Sequence, residues 1–228
     1  MDGTTLEAGA VALLTRVRNP IRLARLVMER TDHVLVAGKG AERLAKIFGL
    51  ENRDPLISDT RKSWRLLRAE LVRGQLDHLT KVHMLIQELP DLLRSGTVGA
   101  VAQDREGRIG AGTSTGGLAL RIPGRIGDTP LIGSGTYANN TGFCSVTGLG
   151  EAAIRLVLAK TTCDLMKRNH PAQKAAEQAV SLPQTRLGMG IGVVAIDSDG
   201  RIGAAHTTRD LCWGYVKHRM RGPHAVMK

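Results

Sequence analysis

The sequence predicts a layered α+β fold, β-sheets covered by helices, from three observations. An internal repeat joins GAVAQDREGRIGAGTST (99–115) to GVVAIDSDGRIGAAHTT (192–208), which have equal length and agree at ten of seventeen positions. Each copy reads as a strand, an Asp-x-x-Gly turn and a second strand, the pattern of a β-hairpin. Between the copies lie two helical patterns, EAAIRLVLAKTTCDLMKR and PAQKAAEQAVS, while the first fifty residues alternate between helical and strand character. Two hairpins rich in Gly, Ala, Val and Ile supply strand pairs small enough to pack closely, and the helical stretches supply a cover.

Asn19 followed by Pro20 reads as an N-cap with proline at the first helical position, and IRLARLVMER carries apolar residues at helical spacing, so a helix is expected over 20–30. HVLVAG reads as a short buried strand that turns through Gly38-Lys39-Gly40 into the helical AERLAKIFGL. GKGAER is only the first half of a dinucleotide fingerprint, since Arg43 occupies the third small position and no ribose-binding acid follows at the required distance. From 51 to 95 the chain is charged and amphipathic. Leu67, Leu71, Leu76, Leu79, Val82, Ile86 and Leu89 fall near helical spacing and Gly74 and Pro90 interrupt them, which predicts two short helices in a connecting segment. His78 and His83 lie there without acidic or thiol neighbours arranged as ligands, so no metal is assigned. The basic end, KHRMRGPHAVMK, is expected to be a solvated tail.

The chain has 228 residues, room for one sizeable domain, and its 42% hydrophobic and 23% charged residues suit a folded core. No run approaches the 18 apolar residues of a membrane helix, and MDGTTLEAG carries no signal-peptide pattern, so the cytoplasm is the expected compartment. Cys144, Cys163 and Cys212 are too scattered for a disulfide framework or a zinc site and are expected to be reduced core or pocket thiols. A net charge of +11 and a pI near 10.2 suit phosphate contact, but aromatics make up only 3% of the chain, too few for the stacking platforms of single-strand binders. A basic nucleic-acid-binding protein therefore stands as an alternative reading, behind a solvated, Arg-rich surface.

The stretch 95–151 concentrates hydroxyls and glycines. A threonine hydroxyl is a poor nucleophile unless a base takes its proton. In a chain with no evident Ser/His/Asp set, the available base is the threonine's own α-amine, once that residue has become the first of its chain. Such an amine titrates at about 7.7–8.0 when unperturbed, suited to general-base work. Gly96 before Thr97 would allow the backbone angles that cutting this bond demands.

The order MDGTTLEAGAVA, RNPIRLARLVME, HVLVAGKGAE, GTVGAVAQD, TSTGG, PGRIGDTPLIGSGTYANN, TGLGE, GVVAID resembles the plant-type asparaginase and isoaspartyl aminopeptidase family of N-terminal-nucleophile hydrolases over nearly the whole chain. The resemblance implies a four-layer αββα sandwich in a single domain over 1–228. It implies self-cleavage at Gly96-Thr97 into an α subunit, 1–96, with 51–96 as its linker, and a β subunit, 97–228. Two such αβ pairs would associate as a dimer of heterodimers. It makes Thr97 the nucleophile, Thr115 the hydroxyl beside it, and Thr147 with Gly148 the oxyanion hole. Arg125 and Asp128 would hold the substrate's α-carboxylate and α-amine, for which a guanidinium and a carboxylate are the fitting charges. The implied substrates are the small molecules L-asparagine and β-aspartyl dipeptides; this sequence is assigned no cofactor or metal and no membrane partner, and nucleic acid is the disfavoured alternative.

The sequence departs from the family pattern in its linker, which is more helical than usual, in the absence of the loop that holds a structural sodium ion in members, and in three further respects. It starts where members already carry an earlier segment with an HGGAG-like strand, so the sandwich is expected to be N-terminally shortened with an exposed sheet edge; a truncated inactive member is the further alternative. Leu149 stands in TGLG where a polar residue is usual, and AHTTRDLCWGY only loosely matches the family's terminal Asn-Thr segment, which leaves His206, Thr207 and Thr208 without a role.

Overall fold

A computed structural model of the chain describes residues 1–53, 62, 65–66, 69–70, 73, 96–118, 121–168, 170–218 and 220–227. It divides into two compact units, one comprising Met1–Ala8, Gly99–Thr113 and Leu131–Lys228, the other Gly9–Val98 and Ser114–Pro130.

In the second of these, β1 (Ala10–Ala12) and β2 (Leu35–Ala37) pair in parallel through the crossover helix α1 (Pro20–Arg30), and α2 (Gly38–Ile47) follows. Leu23, Ala41 and Ala45 form its buried centre, flanked by Val11, Val36 and Phe48. α1 passes close over the chain at Gly9, where a Cβ would lie 2.1 Å from the Ala24 carbonyl oxygen. The expected helix 20–30 is observed, but Asn19 does not cap it with its side chain. Its backbone carbonyl does the work instead, accepting from Arg22 at 3.1 Å and Leu23 at 3.4 Å. The Gly38-Lys39-Gly40 turn is in fact the first turn of α2, entered through a left-handed Gly38 (φ +59°). Lys62, Arg65, Leu66, Ala69 and Glu70 are helical. The positions Leu67, Leu71, Gly74, Leu76, His78, Leu79, Val82, His83, Ile86, Leu89 and Pro90 lie outside the described residues.

The first unit is built on an antiparallel sheet in the order β5 (Thr136–Asn139), β6 (Gly142–Gly148), β7 (Ile191–Asp197), β8 (Ile202–His206). Alternation along the strands gives the sheet two apolar faces. On one, Cys144, Val146, Ile191, Val193 and Ala195 pack against α3 (Gly150–Leu156), α4 (Leu158–Lys167) and α5 (Ala172–Leu187). On the other, Ala138 and Phe143 meet Ile109 and Ala111 of the hairpin formed by β3 (Gly96–Gln103) and β4 (Ile109–Gly117). This unit is therefore layered as the Gly99–Thr113 part of the hairpin, the sheet and the helices, and each large side chain fully buried between layers contributes about 1.5–3 kcal/mol. The outer side of β4 is taken by Met1–Gly3: Ala111 N–H donates to the Met1 carbonyl at 3.0 Å and Gly3 N–H to that of Ile109 at 2.8 Å.

Both copies of the repeat are hairpins with the same turn. In β3–β4 the Asp104 carboxylate accepts the amides of Glu106 and Arg108 and the Arg108 guanidinium. In β7–β8 Asp197 does the same for Asp199 and Arg201. A left-handed glycine, Gly107 (φ +79°) or Gly200 (φ +73°), completes each. The second copy differs in being covered. Asp197 also accepts the Ala172 amide at the start of α5 (3.1 Å), and Gln173 exchanges two hydrogen bonds with the backbone of Ala204, its amide nitrogen donating at 3.1 Å and its oxygen accepting at 3.0 Å.

Three expectations are corrected. EAAIRLVLAKTTCDLMKR is two helices, because Val157 stands in the left-handed region (φ 46°, ψ 51°) at a cost of about 1–2 kcal/mol for an L residue. The amides of Ala159 and Lys160 are thereby brought onto the carbonyls of Ser134 (3.1 Å) and Gly133 (2.8 Å), contacts that a continuous helix would forgo. The basic end is solvated as expected but is not a tail, since β10 (His224–Met227) pairs antiparallel with β9 (Cys212–Tyr215). The three thiols are unpaired, but only Cys144 and Cys163 are buried, and Cys212 is exposed.

Candidate active site

Thr97 is the second residue of β3 and Thr115 the seventh of β4, and the hairpin brings their hydroxyls together at 2.6 Å. This is an ordinary O–H···O separation, and either oxygen can be the donor. Thr115 Oγ1 also accepts the amide of Gly117 at 2.9 Å, which fixes the threonine side chain to its own backbone two residues on. Thr97 is exposed, whereas Thr115 is half-buried. The arrangement can present one threonine oxygen to a substrate while a second hydroxyl donates to it, which lowers the cost of charge appearing there.

The segment after β4 carries the charged pair. Arg125 follows a Pro123-Gly124 turn closed by its own amide donating to the Ile122 carbonyl at 3.1 Å, with Gly124 at φ +86°. Asp128, three residues on, is buried, and Arg125 is half-buried. The Arg125 guanidinium folds back over Gly127, with Nη1 2.8 Å from where a Cβ would lie. Sequence reasoning passed over Arg121. Its guanidinium donates to the Gly116 carbonyl and lies over Gly117, bracing the TSTGG corner, and burial together with the charge of Arg125 holds it below the usual arginine range. The signal available was two arginines four apart across a Pro-Gly turn.

Thr147 and Gly148 end β6, opposite Gly192 and Ile191 of β7. Gly148 is at φ +116°, where a side chain is strained, and a Cβ would sit 2.9 Å from the Gly190 carbonyl oxygen. The chain then leaves the sheet at Leu149 and enters α3 at Gly150. Thr97, Thr115, Arg125 and Asp128 belong to one compact unit, and Thr147 and Gly148 to the other.

A buried hydroxyl cluster was also not foreseen. Thr136 Oγ1 donates to Thr113 Oγ1 at 2.6 Å, and Thr113 Oγ1 lies 2.7 Å from Ser145 Oγ. Thr113 precedes Thr115 by two residues and Ser145 precedes Thr147 by two, so each shares a strand face with a candidate site residue. Gly99 of β3 lies against Ser145, with no space for a side chain: a Cβ would fall 2.0 Å from Ser145 Oγ. Among the described residues no cluster of three or more His, Cys, Asp or Glu side chains could hold a metal ion, and no helix is long and apolar enough to cross a membrane.

Comparison with known proteins places this geometry in context. The family model described as Asparaginase matches residues 1–225. The plant-type L-asparaginase of Pyrococcus abyssi (strain GE5 / Orsay) is 48% identical over 226 residues, covering 99% of this chain and 73% of that protein. The isoaspartyl peptidase of Escherichia coli (strain K12) is 41% identical over 222 residues, 95% of this chain and 67% of that protein. A Xenopus laevis protein named isoaspartyl peptidase/L-asparaginase is 37% identical over 221 residues, with the same coverage of 95% and 67%. A match over essentially every described element, from β1 to the closing hairpin, means that the chain belongs to the asparaginase family.

Proposed function

We propose that the chain is a threonine-nucleophile amidohydrolase that cuts itself between Gly96 and Thr97. It then hydrolyses L-asparagine to L-aspartate and ammonia, and β-aspartyl dipeptides to aspartate and an amino acid. The observation that carries the reading is the 2.6 Å pair of hydroxyls made by Thr97 at the start of β3 and Thr115 near the end of β4, beside relatives named for both activities.

Cleavage frees the Thr97 α-amine, which takes the proton of the Thr97 hydroxyl as its oxygen attacks the β-carbonyl. Thr115 donates a hydrogen bond to the attacking oxygen, and the Thr147 hydroxyl with the Gly148 amide receives the carbonyl oxygen as it becomes negative. Arg125 holds the α-carboxylate and Asp128 the α-ammonium, so the β-carbonyl is the group left facing Thr97. Collapse of the tetrahedral intermediate breaks the C–N bond, and the nitrogen leaves with the proton held by the α-amine. Water, deprotonated by the same amine, then hydrolyses the β-aspartyl ester and restores Thr97. The finer architecture belongs to this proposal as well: a four-layer αββα sandwich in a single domain, an α subunit of 1–96 and a β subunit of 97–228, two αβ pairs per assembly, and a place in the cytoplasm, for which the buried unpaired thiols Cys144 and Cys163 are the support.

Intact mass under denaturing conditions tests it. The parent should give fragments of 96 and 132 residues (228 − 96), the Thr97→Ala variant should stay whole, and the variant's hydrolysis of asparagine and of β-aspartyl dipeptides should fall by about 10⁴-fold or more. A folded parent that stays whole, or a variant that keeps its activity, overturns the proposal.

A further inference from the structure

His206 ends β8 and Thr207 and Thr208 follow it, and none has a part in the reaction above. The register of the sheet supplies one. Thr147 of β6 is paired with Gly192 of β7, and Gly192 with His206 of β8. Residues directly opposite in antiparallel strands carry their side chains on the same face, so these three form one row across the sheet. Their face is the one away from the helices, which cover Val146 and Val193. Two strand spacings separate Thr147 from His206, about 10 Å between Cα atoms. The centre of the row has no side chain of its own. What stands over Gly192 is the Thr147 methyl, 3.0 Å from where a Cβ would lie, and the two methyls of Leu211 at 3.2 and 3.6 Å.

Nδ1 of the imidazole lies 3.0 Å from the Thr208 carbonyl oxygen and 3.3 Å from the Thr208 hydroxyl, which hold the ring in place and leave Nε2 on its opposite edge. Its backbone is pinned as well: Thr207 N–H donates to the Ile191 carbonyl at 2.9 Å, and Ile191 N–H donates to Thr207 Oγ1 at 3.2 Å. Ile191 is the residue facing Gly148.

We propose that His206 and Leu211 form a leaving-group subsite, which binds the amino acid released from a β-aspartyl dipeptide and so sets the preference for dipeptides over asparagine. The inference rests on the amidohydrolase reading, with Thr147 and Gly148 at the acyl oxygen. An imidazole two strands beyond Thr147, with the Leu211 methyls between, is too far away to meet the carbonyl held there. The leaving group of asparagine is ammonia and ends at its nitrogen, whereas that of a dipeptide continues into a residue with its own side chain and carboxylate, which reach across Leu211 toward the imidazole. Leu211 offers that side chain an apolar wall, and Nε2 meets the residue's polar main-chain groups.

The test compares kcat/KM for β-aspartyl-leucine and for asparagine in the parent and in His206→Phe, His206→Gln and Leu211→Ala, with self-cleavage of each variant as the sign that it has folded. His206→Phe keeps the ring and loses its nitrogens. It should lower the dipeptide-to-asparagine ratio about tenfold through KM, the effect of one hydrogen bond to a polar or charged group, and His206→Gln should recover most of it. Leu211→Ala should lower the ratio for β-aspartyl-leucine more than for β-aspartyl-glycine. An unchanged ratio, equal impairment by Phe and Gln, or a loss confined to kcat on both substrates overturns the subsite. A parent that hydrolyses asparagine but no dipeptide also overturns it, while a parent inactive on both overturns the amidohydrolase reading itself.

Discussion

Gly99 carries more constraint than any other residue of the nucleophile strand. A Cβ at this position would lie 2.0 Å from Ser145 Oγ and 2.9 Å from Ser145 Cβ, so rotating the hydroxyl away does not relieve the clash. Gly99→Ala should therefore cost about 1–3 kcal/mol, the usual range for forcing atoms into a filled space. The double variant Gly99→Ala/Ser145→Gly should recover part of that loss, and urea melts of the two variants check the pair. None of this was legible along the chain. GTVGAVAQ shows that small residues are wanted in β3, but the reason at Gly99 lies on a strand 46 positions away. Thr97 and Thr115 were legible because each lies in its own short motif and the two motifs occur in one order, whereas Ser145, Thr113 and Thr136 belong to no motif and meet only when strands pair.

At the scale of elements, the two copies of the repeat have one turn in two environments. The Asp197 side chain is 4% exposed and serves the start of α5 as well as its own turn, while that of Asp104 is 38% exposed and serves its turn alone. Replacing Asp197 by Ala should cost about 2–3 kcal/mol, because the buried Ala172 amide and the partly buried amides of the turn lose a charged acceptor. Asp104→Ala should cost clearly less, since water replaces what the carboxylate gave. Chemical denaturation of both variants gives the comparison, and equal losses would refute it. The repeat itself was plain in the sequence because Asp, Gly and Arg recur at fixed spacing. The split of the helical stretch at Val157 was not, because 151–168 is continuously helical in pattern and the break is imposed by the carbonyls of Gly133 and Ser134.

For the molecule as a whole, stability carries an alkaline limit. Burial, partly offset by the Thr162 hydroxyl, pushes the Cys144 thiol up to about 12, and burial likewise raises Cys163 well above the usual 9.0. Between pH 9 and 12 the unfolded chain releases these protons while the folded chain retains them, so the unfolded state binds fewer protons and stability falls as pH rises. Below pH 9 the thiols contribute no such slope. Denaturant melts at pH 8 and pH 10.5 should show the loss. At pH 8 a thiol reagent should modify Cys212 at once, and Cys144 and Cys163 only after denaturant is added. The sheet has a limit of another kind at β8. Ala204 has already given both its amide and its carbonyl to Gln173, so a helix side chain stands where the next strand would have to begin. A neighbouring polypeptide that approached this edge would find the middle residue of β8 already saturated, so a helix side chain guards the edge where charge or proline would otherwise be needed.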